Sequence, residues 1–219
     1  MIIAIDGPSG VGKGTVARAV ASRLGLRHVD TGAMYRAVAW RAEQLGLPLD
    51  DEDRIAQLAA DARLEIDGSD IRIDGADASH AIRTPEIDRA TTRVARLPRV
   101  RAALVARQRA MAEPDGVVME GRDIGTVVFP NADVKIYLDA SPDERARRRA
   151  HDPAHTSSQT QVLADIAQAM QRRDENDRTR QASPLSLAPD ATTIDTTTLQ
   201  IQQVVDRVMV IVREKQAAK

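Results

Sequence analysis

The stretch Gly7-Pro8-Ser9-Gly10-Val11-Gly12-Lys13-Gly14-Thr15 decides the fold of this chain. It follows a short apolar run at 2–5 and precedes a helical pattern in which Val16, Val20 and Leu24 recur on one face. A strand, a glycine-rich turn and a helix, in that order, are typical of a loop whose backbone N–H groups surround a polyphosphate. The sequence therefore predicts that residues 7–15 bind the phosphates of ATP or GTP.

Lys13 is the residue of this loop that carries a charge to the phosphates. It directly follows Gly12 in the spacing Gly7-x4-Gly12-Lys13, so its ammonium can reach the β- and γ-phosphates beside the positive end of the following helix. Gly14 stands where Ser or Thr is usual, and Thr15 comes next. Because of this departure, the sequence does not decide whether a hydroxyl group of this loop contacts Mg²⁺ directly, as is usual for the motif. A turn that merely joins a strand to a helix is the alternative, but strand, spacing, lysine and helix all agree with the phosphate loop.

Composition limits the possible partners. The 219 residues are 42% hydrophobic and 29% charged, which are globular values, and the formal net charge of −1 does not favour nucleic acid or an anionic membrane. The absence of cysteine excludes disulfides and thiolate metal sites. No apolar run approaches the roughly 20 residues that span a bilayer, and no secretory signal precedes the first strand. We expect a monomeric, cytoplasmic protein with small-molecule substrates and neither nucleic-acid nor membrane partners.

Strands alternate with helices along most of the chain. Further strands are predicted near 27–29, 117–119, 134–138 and 191–195, and helices near 33–45, 54–62, 84–97, 99–112, 142–150, 161–173 and 199–213. Period-two alternation at 64–66 and 71–73 predicts an antiparallel hairpin. We therefore predict an α/β fold in one domain, 1–219: a parallel sheet flanked by helices, with a small antiparallel β insert at 63–83 and a helical lid at 145–160.

Ligands of parallel α/β sheets bind beyond the carboxyl ends of the strands. That rule gathers the phosphate loop with three other stretches, 30–36, 120–125 and 139–149. They contribute more arginines than one nucleotide requires, which indicates an acceptor that is itself a phosphate. Only four of the 31 basic residues are lysine, and genome composition is the other explanation for that bias. A GTPase is disfavoured because no Asn/Thr-Lys-x-Asp segment is present.

The helix predicted after Ser141 carries Arg145, Arg148 and Arg149 on one face. Such a face is often simply solvated. Here it follows a strand end at the ligand edge and precedes a polar, aperiodic stretch at 151–161, which favours a lid that excludes water during transfer. The charged run at 173–180 is ambiguous, because a salt-bridged helix end would look the same.

Several strings together resemble the bacterial cytidylate kinases, a family of nucleoside monophosphate kinases. They are Ile5–Thr15, Asp30-Thr31-Gly32-Ala33-Met34-Tyr35-Arg36, Ile82-Arg83-Thr84, Pro98-Arg99-Val100-Arg101, Gly121–Pro130, Lys135–Ala140 and Arg173–Arg180. The strings at 30–36 and 121–130 are highly specific, and Gly-Lys-Gly-Thr is usual in this family. The resemblance implies a P-loop kinase fold for the α/β domain. It also implies transfer of the γ-phosphoryl group of ATP to CMP or dCMP with Mg²⁺, in pyrimidine nucleotide metabolism.

The resemblance also implies a role for each matching residue. Residues 7–15 would hold ATP, and the catalytic residues would be Lys13, Arg122, Arg145 and Arg149. The acceptor phosphate would be bound by Arg36, Arg122 and Arg180, and the ribose by Asp177 with Arg173. The cytosine would be surrounded by Thr31, Tyr35, Thr92, Arg101 and Asp123, with Arg83 on the same wall and Thr91 as the alternative to Thr92. The metal ligands stay unassigned.

Two other functions remain open at this point. One is a related kinase whose acceptor is UMP or a small hydroxylated metabolite. The other is a non-catalytic nucleotide-sensing or nucleic-acid-binding module, which the arginine clusters would suit. The chain contains only four aromatic residues, too few for stacking platforms, so the module is disfavoured.

Overall fold

A computed structural model of the protein describes residues 1–67, 70–152 and 162–217. Its strands are β1 (Ile2–Asp6), β2 (Arg27–Asp30), β3 (Leu64–Asp67), β4 (Asp70–Ile73), β5 (Ala76–Asp77), β6 (Val117–Gly121), β7 (Val134–Asp139) and β8 (Thr192–Asp195). Its helices are α1 (Lys13–Leu24), α2 (Thr31–Gln44), α3 (Glu52–Asp61), α4 (Pro85–Val94), α5 (Pro98–Ala110), α6 (Pro142–Ala150), α7 (Leu163–Thr179) and α8 (Ile201–Ala217). Two short helical turns, Ala81–Arg83 and Ile124–Val128, join them.

The central sheet is parallel, with the strand order β2-β6-β1-β7-β8. Side chains of β1 alternate between its two faces: Ala4 packs with α2 to α5, whereas Ile3 and Ile5 pack with α1 and α8. Burial on both faces explains why the sheet strands are apolar runs rather than alternating patterns. The prediction of a parallel sheet between helical layers is confirmed.

The predicted hairpin is present as β3 and β4, which pair antiparallel with Leu64 opposite Ile73 and Ile66 opposite Ile71. The buried isoleucines of this pair pack against the same core as α2 to α5. β5 adds a third, two-residue strand that the sequence analysis did not predict. Residues 68–69, at the tip of the predicted turn, lie outside the described residues.

Helix α7 is longer than predicted. The sequence analysis ended it at Arg173, but it continues through the charged run to Thr179. Asp174 is fully buried and Asp177 is largely buried, so these carboxylates turn inward to arginines instead of forming a solvated helix end. The predicted lid at 145–160 begins within α6, and its part at 153–160 lies outside the described residues.

Helix α2 begins at Thr31, two residues before the predicted start. The Asp30 side chain accepts a hydrogen bond from the Ala33 backbone N–H at 3.0 Å, which satisfies one free donor of the first turn. Thr31 is therefore fixed at the carboxyl end of β2. In the described part of the chain, no helix combines the length and apolar character needed to cross a membrane.

Candidate active site

The phosphate loop follows β1 with a backbone that only glycine adopts easily. Gly7 has φ of 147°, and a Cβ there would lie 2.1 Å from the Leu138 carbonyl oxygen of β7. Gly10 has φ of 76°, and its Cβ would meet the backbone oxygen of Arg145 at 3.0 Å. The glycines thus let the loop pass close to the backbones of β7 and α6 on its way to α1.

Lys13 begins α1 and is buried against this loop. Its ammonium donates a hydrogen bond to the Pro8 carbonyl oxygen at 2.6 Å. Burial and the positive charge of Arg122 lower the pKa of Lys13 to about 7, although the carboxylates of Glu120, Asp174 and Asp6 oppose this. A bound phosphate would supply the negative charge that this buried ammonium requires.

Asp174 of α7 fixes the loop from behind. This carboxylate accepts hydrogen bonds from the Ser9 N–H and hydroxyl, each at 3.0 Å, and forms an ion pair with Arg145. Arg145 also donates to the Ser9 carbonyl oxygen at 3.1 Å. The structure therefore places Arg145 behind the phosphate loop, outside the set of residues that line the cleft.

Replacing Asp174 with Ala should destabilise the protein by about 3–5 kcal/mol, because it leaves the buried Arg145 charge and the Ser9 donors without their partner. Chemical denaturation measures this change. Asp206→Ala is the matched control: its ion pair with Arg23 is exposed, and its loss should cost at most about 1 kcal/mol. Equal losses in the two variants would contradict the structural role of Asp174.

A cleft of about 650 Å³ opens at the carboxyl ends of β1, β2 and β6. Its lining from the phosphate loop comprises Ser9, Gly10, Gly12, Lys13, Gly14 and Thr15, while Gly7, Pro8 and Val11 support the loop from outside. The other predicted site residues in this lining are Thr31, Tyr35, Arg36, Arg83, Thr92, Arg101, Arg122, Asp123, Arg149, Arg173, Asp177 and Arg180. The structure thus brings the predicted phosphate and acceptor residues, apart from Arg145 and the three supporting residues, into one cavity.

One wall of the cleft is built around Asp123. Arg101 donates to Asp123 Oδ2 at 2.5 Å and lies over the Tyr35 ring, 5.1 Å from its centroid, while Arg180 lies 3.5 Å from Asp123 Oδ1. Burial raises the pKa of Tyr35 to about 12, so its hydroxyl stays protonated. Within the described residues the buried Arg101 Nε–H has no hydrogen-bond acceptor, which leaves a donor for a ligand.

Helix α4 contributes two threonines to the same wall. Thr91 is buried and donates to the Ile87 carbonyl oxygen at 2.6 Å, whereas Thr92 is half-buried and donates to the Asp88 carbonyl oxygen at 3.0 Å. Both line the cleft. The choice between them therefore stays a prediction in favour of Thr92.

The arginines of the cleft are paired with carboxylates. Asp177 accepts from Arg122 at 2.9 Å and from Arg180 at 3.3 Å, and Arg36 donates to Asp30 at 2.9 Å. Although burial opposes it, Arg122 and its neighbours hold the pKa of Asp177 below its ordinary value. These ion pairs hold several guanidinium groups around the cleft. There a guanidinium group can donate two hydrogen bonds to the oxygens of one phosphate.

Sequence reasoning assigned no role to two further carboxylates at this edge of the sheet. Asp6, at the end of β1, accepts from the Ile124 and Gly125 N–H groups at 2.9 and 2.7 Å, and burial raises its pKa to about 6. Glu120, at the end of β6, lies 3.2 Å from the His28 ring. A carboxylate at a strand's carboxyl end is a signal that the sequence analysis could have used.

A second cavity of about 460 Å³ lies on the other side of the phosphate loop. Its walls include Val11, Val16, Leu199 and Ile201, and Arg148 closes it by donating to the Thr196 carbonyl oxygen at 2.6 Å. Arg148 and Ile201 also line the main cleft, so the two spaces adjoin. Glu144, Arg147 and Gln200 also line this second cavity, so its walls combine apolar and polar groups.

The phosphate loop after β1, the parallel sheet and the arginine-lined cleft together define a P-loop kinase. The family model for cytidylate kinase matches residues 3–214. A cytidylate kinase of Solibacter usitatus (strain Ellin6076) is 48% identical over 98% of this chain and 93% of that protein, and one of Desulfitobacterium hafniense (strain Y51) is 46% identical over 97% and 93%. The chain belongs to the cytidylate kinase family.

A solved structure supports the fold independently. The gluconokinase from Sinorhizobium meliloti 1021 aligns with a TM-score of 0.52 over 99% of this chain and 94% of that one. At 16% sequence identity this similarity concerns the fold alone.

Proposed function

We propose that the protein transfers the γ-phosphoryl group of ATP to CMP or dCMP, giving ADP and CDP or dCDP. The observation that carries the choice of acceptor is the buried Arg101–Asp123 pair on the wall of the cleft. The cytidylate kinase relatives support the same choice. The phosphate loop binds the donor, and the base of ATP lies in the cavity that Arg148 closes.

Cytosine fits the Arg101–Asp123 pair. Its 4-amino group donates to the Asp123 carboxylate, while Arg101 donates to N3 or O2 of the ring. Uracil presents a carbonyl oxygen in place of the amine, so the Asp123 carboxylate would face another acceptor. A buried mismatch of this kind costs about 1–3 kcal/mol, and more when a charge is involved.

The reaction is an in-line displacement on the γ-phosphorus. An ionised oxygen of the acceptor phosphate forms the new P–O bond while the bond to the β–γ bridging oxygen breaks, and that electron pair leaves with ADP. The attacking oxygen is already an anion, so no general base is required. Arg36, Arg122 and Arg180 hold the acceptor phosphate, and Lys13 with Arg149 stabilises the transferring group.

Mg²⁺ fits this site through oxygen ligands. Among the described residues no cluster of three acidic or histidine side chains could hold a metal on its own, which agrees with an ion bound mostly by nucleotide phosphates and water. Thr15 and Glu120 line the cleft next to the loop and would supply the protein oxygens. The ion neutralises charge on the phosphates when bound.

Three further features belong to this proposal. Residues 63–83 are the acceptor-side insert, and one chain contains the complete site in a single domain. The predicted lid at 145–160, of which the structure describes residues 145–152, excludes water. The enzyme works as a monomer in the cytoplasm.

A coupled assay of ADP release with ATP and Mg²⁺ tests the function. We expect high turnover with CMP and dCMP and much lower turnover with UMP, AMP or shikimate. A preference for UMP or for a hydroxylated metabolite would keep the kinase but reject the cytosine site. Salt-dependent binding of oligonucleotides without any kinase activity would replace the enzyme with a binding module.

Replacing Asp123 with Asn should reduce the preference for CMP over UMP by about 10- to 100-fold in kcat/KM, since an amide can donate to the uracil O4. Initial rates with both acceptors measure the ratio. Asp139→Asn, at the end of β7 and outside the lining of the cleft, is the control and should leave the ratio unchanged. An unaltered ratio in the Asp123 variant would remove this residue from base recognition.

A further inference from the structure

Asp88 of α4 joins two arginines that belong to different helices. Its Oδ2 accepts from Arg149 Nη2 at 2.5 Å and its Oδ1 accepts from Arg173 Nη1 at 3.1 Å. Arg149 lies near the end of α6, within the predicted lid, and Arg173 lies in the following helix α7. All three side chains are largely buried, with 18–26% exposed. One carboxylate thus holds both helices to α4.

The charges around this contact explain why a carboxylate is needed. Arg149 and Arg173 bind the same carboxylate, so their positive charges lie close together, and Arg36 adds a third positive charge nearby. Burial and these two arginines lower the pKa of Arg149, whereas Asp88 and Asp152 raise it. Without the Asp88 carboxylate between them, the guanidinium groups of Arg149 and Arg173 would repel each other and move apart.

Helix α4 also carries part of the acceptor wall. The Thr92 hydroxyl, one turn after Asp88, donates to the Asp88 carbonyl oxygen at 3.0 Å and lines the same cleft as Arg101 and Asp123. The backbone that presents Thr91 and Thr92 to the acceptor base is therefore the backbone that presents the Asp88 carboxylate to Arg149 and Arg173. A shift of α4 moves both.

We propose that Asp88 is a positioning residue that couples the acceptor-base wall to the arginines at the phosphates. The proposal rests on the proposed function. Asp88 itself does not touch the reacting atoms. It sets where Arg149 and Arg173 meet the phosphates and the ribose, relative to the wall that α4 presents to the acceptor base. Its loss therefore slows the transfer step more than it weakens the binding of ATP.

The test compares Asp88→Asn with Glu86→Gln, a matched loss of one negative charge on the same helix. Glu86 is exposed and pairs with Arg89. We expect Asp88→Asn to lower kcat with CMP about 10- to 100-fold with little change in the KM for ATP, because a misplaced catalytic group costs that much. Glu86→Gln should match the wild type. Asp88→Glu keeps the charge and should recover a large part of the loss.

A double-mutant cycle separates positioning from general destabilisation. In a background with Arg149→Ala and Arg173→Ala, Asp88→Asn should cause no further loss of kcat, because the two guanidinium groups that Asp88 positions are already absent. Thermal melts verify that each variant is folded, and Asp88→Glu carries the comparison if the Asn variant is not. Equal kcat in Asp88→Asn and Glu86→Gln, or losses that multiply fully in the combined variant, would overturn the proposal. Absence of CMP turnover in the wild type would instead reject the proposed function.

Discussion

Arg122→Ala should lower kcat/KM for CMP by about 10³-fold and leave the Kd for ATP nearly unchanged. A cationic donor that meets charge developing in the transition state contributes on the order of 10²- to 10⁵-fold in comparable sites. Arg122 lies at the end of β6, where Asp177 holds its guanidinium at 2.9 Å and the cleft opens toward the acceptor. Steady-state kinetics with CMP, together with ATP titrations, measure the two effects.

Arg23→Ala is the control for this variant, because Arg23 lies on the outer face of α1 in an exposed pair with Asp206. It should retain wild-type turnover. Unchanged CMP turnover in the Arg122 variant would remove Arg122 from the reaction. A large loss of ATP affinity would move it from the acceptor side to the donor side.

Lys13→Met should lower kcat by about 10³-fold, because the ammonium is the positive charge that the loop itself supplies to the transferring group. The variant should also weaken ATP binding, since the buried ammonium and the phosphates stabilise each other. Lys215→Met, on the exposed surface of α8, is the matched control and should behave as the wild type. Retention of wild-type kcat in the Lys13 variant would contradict this role.

The pKa of Lys13 gives the same prediction a pH dependence. With a pKa of about 7, the ammonium is fully charged below neutral pH and loses its proton above it. ATP binds the charged form better, so the Kd for ATP should rise as the pH increases from 6 to 8.5. This increase should disappear in Lys13→Met, and isothermal titration at several pH values measures it.

The parts of the fold that could be predicted are those with local causes. The apolar run before Gly7 and the spacing to Lys13 predicted β1, the phosphate loop and α1, and the alternation at 64–73 predicted the hairpin. Each of these patterns is complete within about 20 residues. The family resemblance added the acceptor residues, which the structure gathers into one cleft.

The parts that could not be predicted depend on contacts between distant residues. Ser9 and Asp174 are 165 positions apart, and Asp88 and Arg149 are 61 apart, so no spacing rule connects them. The same reason explains α7: its charged end was ambiguous in the sequence, and only the fold shows that Asp174 and Asp177 pair with arginines of other elements. The position of Arg145 also depends on distant residues: its helix face predicted a residue in the cleft, whereas its contacts with Ser9 and Asp174 place it behind the loop.

The most direct test of the account is to follow the phosphoryl group itself. Incubation of the enzyme with Mg²⁺, CMP and ATP labelled with ³²P at the γ-position, followed by separation of the nucleotides, shows where the label goes. The account predicts that the label appears in the β-phosphate of CDP at the rate at which ADP forms. Label released as inorganic phosphate, or transferred to no acceptor while CMP is present, would contradict it.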